Sequence, residues 1–95
     1  MASKEYYRNQ IADKRAKIVS LRADIQKTKD EKKSRMDYLS RTIKSSSSQS
    51  SKENYRKMKI AEGAKFEGKI DALKNKIETI NKEIDSLKKS LDKAK

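Results

Sequence analysis

The chain has no cysteine, no histidine, no tryptophan and no proline, and it carries two glycines among 95 residues. Without cysteine there can be no disulfide, no thiolate nucleophile and no zinc-finger ligand set. Without histidine the commonest general base is also missing. Leu, Ile, Val and Phe together number sixteen, about a sixth of the chain. Below roughly 20%, a highly charged chain verges on disorder. So few apolar residues cannot enclose a large core, which argues against an enzyme with a buried cleft. No long apolar run occurs, so neither a cleavable secretory signal nor a membrane span is expected. Glycine-rich phosphate loops and the EF-hand spacing are absent as well. Carboxylates are scattered among lysines, so no acid–base pair stands out, and no cofactor or metal is expected.

What the chain has instead is charge. Charged residues are 42% of the total, with 26 Lys and Arg against 14 Asp and Glu, for a net charge of +12. Residues 1–44 hold 13 basic and 6 acidic residues, and residues 52–95 hold 13 and 8. Both halves mix signs, as solvated helix faces do, and neither is a polybasic arm. A partner carrying negative charge is implied: an acidic protein surface, a nucleic acid or an anionic membrane.

Composition changes once, at Ser45-Ser46-Ser47-Ser48-Gln49-Ser50-Ser51. Serine competes for backbone hydrogen bonds and offers little to pack, so residues 45–51 read as a hinge between helix 1 (4–44) and helix 2 (52–95). Ser51, followed by Lys-Glu-Asn, is the expected N-cap of the second helix. Each half could form roughly 60 Å of helix.

The second half carries the clearest pattern. Phe66, Ile70, Leu73, Ile77, Ile80, Ile84, Leu87, Leu91 and Ala94 recur at alternating steps of four and three. That is a coiled-coil seam, narrower than the apolar stripe of a globular helix. In the first half Tyr7, Ile11, Ile18, Leu21 and Ile25 keep the same spacing, diluted by Lys14 and Thr28. Past Lys32 the pattern steps by four to Met36, then Leu39 and Ile43, the signature of a stutter. One seam is marginal alone in water, so each helix needs a partner.

Folding back at residue 49 sets Ile11 against Leu87, Ile18 against Ile80, Leu21 against Ile77 and Ile25 against Leu73. On one flank it pairs opposite charges: Lys17 with Glu83, Asp24 with Lys76, Glu31 with Lys69. Sliding by one heptad brings like charges together, so the flank selects the register. The expected fold is therefore all-α, an antiparallel two-helix coiled-coil hairpin.

The other flank is unmatched. Arg8, Arg15, Arg22 and Lys29 lie opposite Lys88, Asn81, Lys74 and Glu67. This basic edge is expected to receive an acidic helix of a protein client or another polyanion, with Arg8, Arg15, Arg22, Lys29, Lys74 and Lys88 steering it. Val19, Met36, Ile60 and Phe66 would add burial. A Lys-rich face with no partner is the bland alternative. Gly63 and Gly68 either admit another helix closely or weaken their own.

Two other classes remain open: a non-specific nucleic-acid-binding protein and a self-assembling coiled coil. The basic stretch from Lys52 to Lys59 is like a basic-region zipper, but Gly63 and Gly68 interrupt it. Tyr6 and Tyr38 could stack on bases, whereas Tyr7 and Tyr55 fit the seam. Membrane-surface binding is disfavoured, because the apolar seam is narrow and matched to another helix.

As a whole, the hairpin resembles the small type VII secretion substrates named for a Trp-x-Gly turn. It is closer to the small helical partners of LXG toxins in Gram-positive bacteria. That resemblance implies a non-enzymatic targeting partner or chaperone. It would pair with the helical N-terminal region of a toxin, together with a second small helical partner in some cases. Cytoplasmic residence is implied, with export alongside the client by a route needing no signal peptide. There is no Trp, and the residues four after each Tyr are Gln10, Ile11, Thr42 and Lys59, so the Tyr-x-x-x-Asp/Glu export signal is absent. The signal would have to come from another member of the complex.

Overall fold

A computed structural model describes residues Ser3–Ala94 as two helices, α1 (Lys4–Ser45) and α2 (Gln49–Lys93), folded as an all-α hairpin. No proline interrupts either helix, and a serine immediately precedes each. The Tyr6 N–H donates to Ser3 Oγ at 3.2 Å, capping α1 at its third turn position. Glu5 in the first turn, with Lys44 and Lys93 in the last turns, complements the helix dipoles.

The turn is shorter than the seven-residue hinge expected from composition. Only Ser46–Ser48 separate the two helices. Serine hydroxyls close the helix ends here instead of melting them. Ser45 Oγ and Ser46 Oγ donate to the Thr42 carbonyl at 3.1 and 2.8 Å, and the Ser46 N–H reaches the same oxygen at 3.0 Å. The Ser51 N–H donates to Ser48 Oγ at 3.4 Å and the Lys52 N–H to the Ser48 carbonyl at 3.1 Å. Ser48 is therefore the N-cap, and Ser51, the expected cap, sits in the first turn of α2. Gly63 and Gly68 lie within unbroken helix, neither with positive φ.

The chain divides into two units. The first joins residues up to Asp24 with those from Leu73 onward. Its core is Ile11, Ile18 and Ile84, each 5–6% exposed, with Ile77, Ile80, Leu87 and Leu91 packed against them. Burying an aliphatic side chain is worth about 1.5–3 kcal/mol, so this short row is the main force holding the two segments together. Leu21 is half-buried beside it. Lys14 forms an ion pair with Glu83 across the unit. The expected Lys17–Glu83 pair is replaced because Lys14 occupies a seam position, where its stem is covered and its ammonium can reach out to the same carboxylate.

The second unit spans Ile25–Ala72 and contains the turn. Leu39 (0% exposed) and Ile70 (2%) are buried, and Ile25, Met36, Ile43, Tyr55 and Phe66 are half-buried. On α1 the four-three alternation continues through Thr28, Lys32, Arg35, Leu39 and Thr42, which are all at least partly covered. The expected stutter to Met36 and Ile43 does not replace that line. It runs beside it, so the covered stripe is two residues wide. The cations on the stripe are paired across the unit: Lys32 with Glu67, and Arg35 with Glu62. Lys59 also donates to Ser40 Oγ at 2.9 Å. In each unit the cross-helix pairs have midpoints within one residue of position 49, the expected fold point.

Candidate functional site

The unmatched basic flank forms a groove in the first unit, of about 530 Å³. Arg15, Ile18, Val19 and Arg22 come from α1, and Asn81, Ile84, Asp85 and Lys88 from α2. Heptad spacing explains the arrangement. Ile18 and Ile84 belong to the core and form the floor. Arg15 and Arg22 lie seven residues apart on the same edge, about 10.5 Å along the axis. Val19 stands at the rim, 66% exposed. Three cations against one carboxylate leave the groove positive, beside an apolar side chain with nothing over it. Arg8 and Lys74 are exposed in the same unit, and Lys29 is exposed in the second. Glu67, expected to face Lys29, is committed to Lys32.

The remaining expected contact residues part company. Ile60 is 76% exposed in the second unit. Met36 and Phe66 are half-buried within that unit. A Cβ built on Gly63 would lie 3.8 Å from the Met36 sulfur, and the Lys69 ammonium sits 5.7 Å from the Phe66 ring centre. Ile11, Ile18, Leu21, Ile25, Ile70, Leu73, Ile77, Ile80, Ile84 and Leu87, the expected seam, are all buried or half-buried.

Two other shallow grooves exist. One, of about 350 Å³, is lined by Leu21, Asn75, Lys76, Thr79 and Ile80. The other, of about 420 Å³, lies near the turn and is lined by Ser40, Ile43, Lys44, Arg56, Lys59 and Ile60.

A two-pronged ion pair was not foreseen from the sequence. Arg35 grips Glu62 with two hydrogen bonds, Nε to Oε1 at 2.7 Å and Nη2 to Oε2 at 3.1 Å. Its guanidinium also lies 5.3 Å from the Tyr38 ring centre. The hydrogen bonds from Arg35 hold the Glu62 carboxyl below its ordinary value, and those to Glu62 raise Arg35. A signal for it was present. Lys14, Lys32 and Arg35 interrupt the α1 seam, and each has a carboxylate one residue off its mirror position about residue 49.

Among the described residues no group of carboxylates is placed to hold a metal, and no helix is long and apolar enough to cross a membrane. No protein-family model, curated protein or solved structure matches the chain. Fold and groove together describe a basic coiled-coil hairpin that carries an uncovered cationic groove.

Proposed function

We propose that this chain is a non-enzymatic helical adaptor that holds an acidic amphipathic helix of a client protein along the groove edged by Arg15, Arg22 and Lys88. The observation that carries this reading is the union of a cationic rim with an exposed apolar side chain, Val19. A simple solvated edge has no use for the valine, whereas a docked helix covers it. Carboxylates spaced one per heptad on the client would match Arg8, Arg15 and Arg22, and a seam residue of the client would pack on Val19 and the edge of Ile18. Following the resemblance to LXG-toxin partners, the client is the helical N-terminal region of such a toxin. The adaptor meets it in the cytoplasm and accompanies it to the secretion machinery, with a second small helical partner where the client needs one.

Charge at the rim acts mainly on encounter, so the association rate should fall as salt rises. The test is co-expression with the helical N-terminal region of an LXG toxin, then size-exclusion chromatography and binding kinetics. A stable complex is expected, weakened at least tenfold in Arg15→Glu/Arg22→Glu. Unchanged affinity in that variant, or equally tight binding to arbitrary duplex DNA, overturns the reading.

A further inference from the structure

The cations nearest the turn are arranged differently from those of the client groove. From Arg41 to Lys59 there are six basic residues (Arg41, Lys44, Lys52, Arg56, Lys57 and Lys59) against one carboxylate, Glu53. On α2 they do not recur every seven residues. Lys52, Arg56, Lys57 and Lys59 fan across roughly half the helix circumference. A row of charges at heptad spacing complements a helix. A fan around a serine turn complements an extended charged surface.

At this end lies the groove where Ile60, the most exposed large apolar side chain of the described residues, is ringed by Lys44, Arg56 and Lys59. Ser40 and Ile43 complete it, and no carboxylate lines it among the described residues. Met58, two residues away, is also exposed at 39%. A nucleic-acid backbone would satisfy the cations but leave Ile60 in water. The Tyr38 ring, a candidate for base stacking, already has the Arg35 guanidinium beside it. A bilayer interface takes both parts: phosphates of its headgroups meet the cations, and its acyl boundary meets the isoleucine.

We infer that the turn-bearing end of the second unit is a contact site for an anionic lipid surface, with Lys44, Arg56 and Lys59 on headgroup phosphates and Ile60 entering the acyl boundary. This is surface contact, distinct from the narrow seam and from any membrane span. It uses none of the residues of the client groove, so it stands or falls apart from the adaptor reading.

The experiment is vesicle flotation of the full chain with phosphatidylglycerol–phosphatidylcholine vesicles and with pure phosphatidylcholine vesicles. Partition is expected on the anionic vesicles and not on the neutral ones. Lys44→Gln/Arg56→Gln/Lys59→Gln should lower it at least ~10-fold, given three phosphate contacts. Ile60→Ser should lower it several-fold, and its exposure makes the change harmless to the fold. Lys17→Gln/Lys89→Gln/Lys93→Gln removes the same charge elsewhere and should change partition by less than ~3-fold, since surface attraction fades within a Debye length. Helicity by circular dichroism confirms that each variant is folded. Equal losses in the two triple variants would show that bulk charge alone is responsible and overturn the inference. So would an Ile60→Ser variant that binds as the parent does, or no partition on anionic vesicles at all.

Discussion

Leu39→Ala removes the largest side chain that the described structure encloses completely. Leucine-to-alanine changes in packed interiors cost about 2–5 kcal/mol, depending on how far the surroundings collapse. Here the lower part of that range applies. Met36, one turn earlier, is an unbranched and adaptable side chain that can move toward the gap, and it faces Gly63, which has no side chain to obstruct it. A loss of about 2–3 kcal/mol is large for a chain of this size, whose whole stability is of order 5–14 kcal/mol. At roughly 4–8 °C per kcal/mol, the melting temperature should fall by about 10–20 °C. The assay is thermal unfolding by far-ultraviolet circular dichroism, with Val19→Ala as comparator. Val19 is 66% exposed, and its truncation should stay within about 0.5 kcal/mol of the parent. If Leu39→Ala melts within ~4 °C of the parent, or no lower than Val19→Ala, Leu39 does not face α2 and the packing described for this unit is wrong.

Other expectations test other links. Gly68→Ala meets open space and Gly63→Ala meets only ordinary contact at 3.8 Å, so each should stabilise by up to ~1 kcal/mol through helix propensity. A lower melting temperature for Gly63→Ala would mean that α1 approaches more closely there. Ser48→Ala should cost ~0.5 kcal/mol or more by uncapping α2, whereas Ser51→Ala should be near neutral; the reverse order of melting temperatures would place the cap at Ser51. Glu62 has a folded-state pKa lowered from its ordinary 4.5. Its stabilising contribution is therefore complete above about that pH and is lost as pH falls through the lowered folded value. Acid titration of the parent should show this loss, and Glu62→Gln should flatten it; identical acid profiles would remove Arg35–Glu62 as its source.

The hairpin was legible because periodicity is a local property repeated many times. Ile70, Ile77 and Ile84 announce one face without help from any distant residue, and a serine run without a seam residue marks where the chain can turn. The mirror relation about residue 49 then follows from matching two such faces. What stayed hidden was whatever depends on which side chain reaches which. Residues 45–51 looked like a hinge, but the hydroxyls of Ser45, Ser46 and Ser48 complete the ends of helices, because a hydroxyl can cap as well as compete. Lys14 looked like a dilution of the seam, and the same place of Lys32 and Arg35 on it was not read from the spacing. Long stems let them lie on it while their charged ends meet Glu83, Glu67 and Glu62.

Composition and spacing thus determined by themselves that this chain is helical, doubled over and basic, since each of those rests on residues near one another or on simple counts. Only tertiary structure decided which cations are spent inside the hairpin and which are left over. Pairing of charges is settled by distances of a few ångströms between segments far apart in the chain. A heptad locates a side chain around the helix axis but does not say whether Glu83 answers Lys14 or Lys17. The same reach separates Met36 and Phe66, half-buried within their unit, from Val19 and Ile60, which remain exposed.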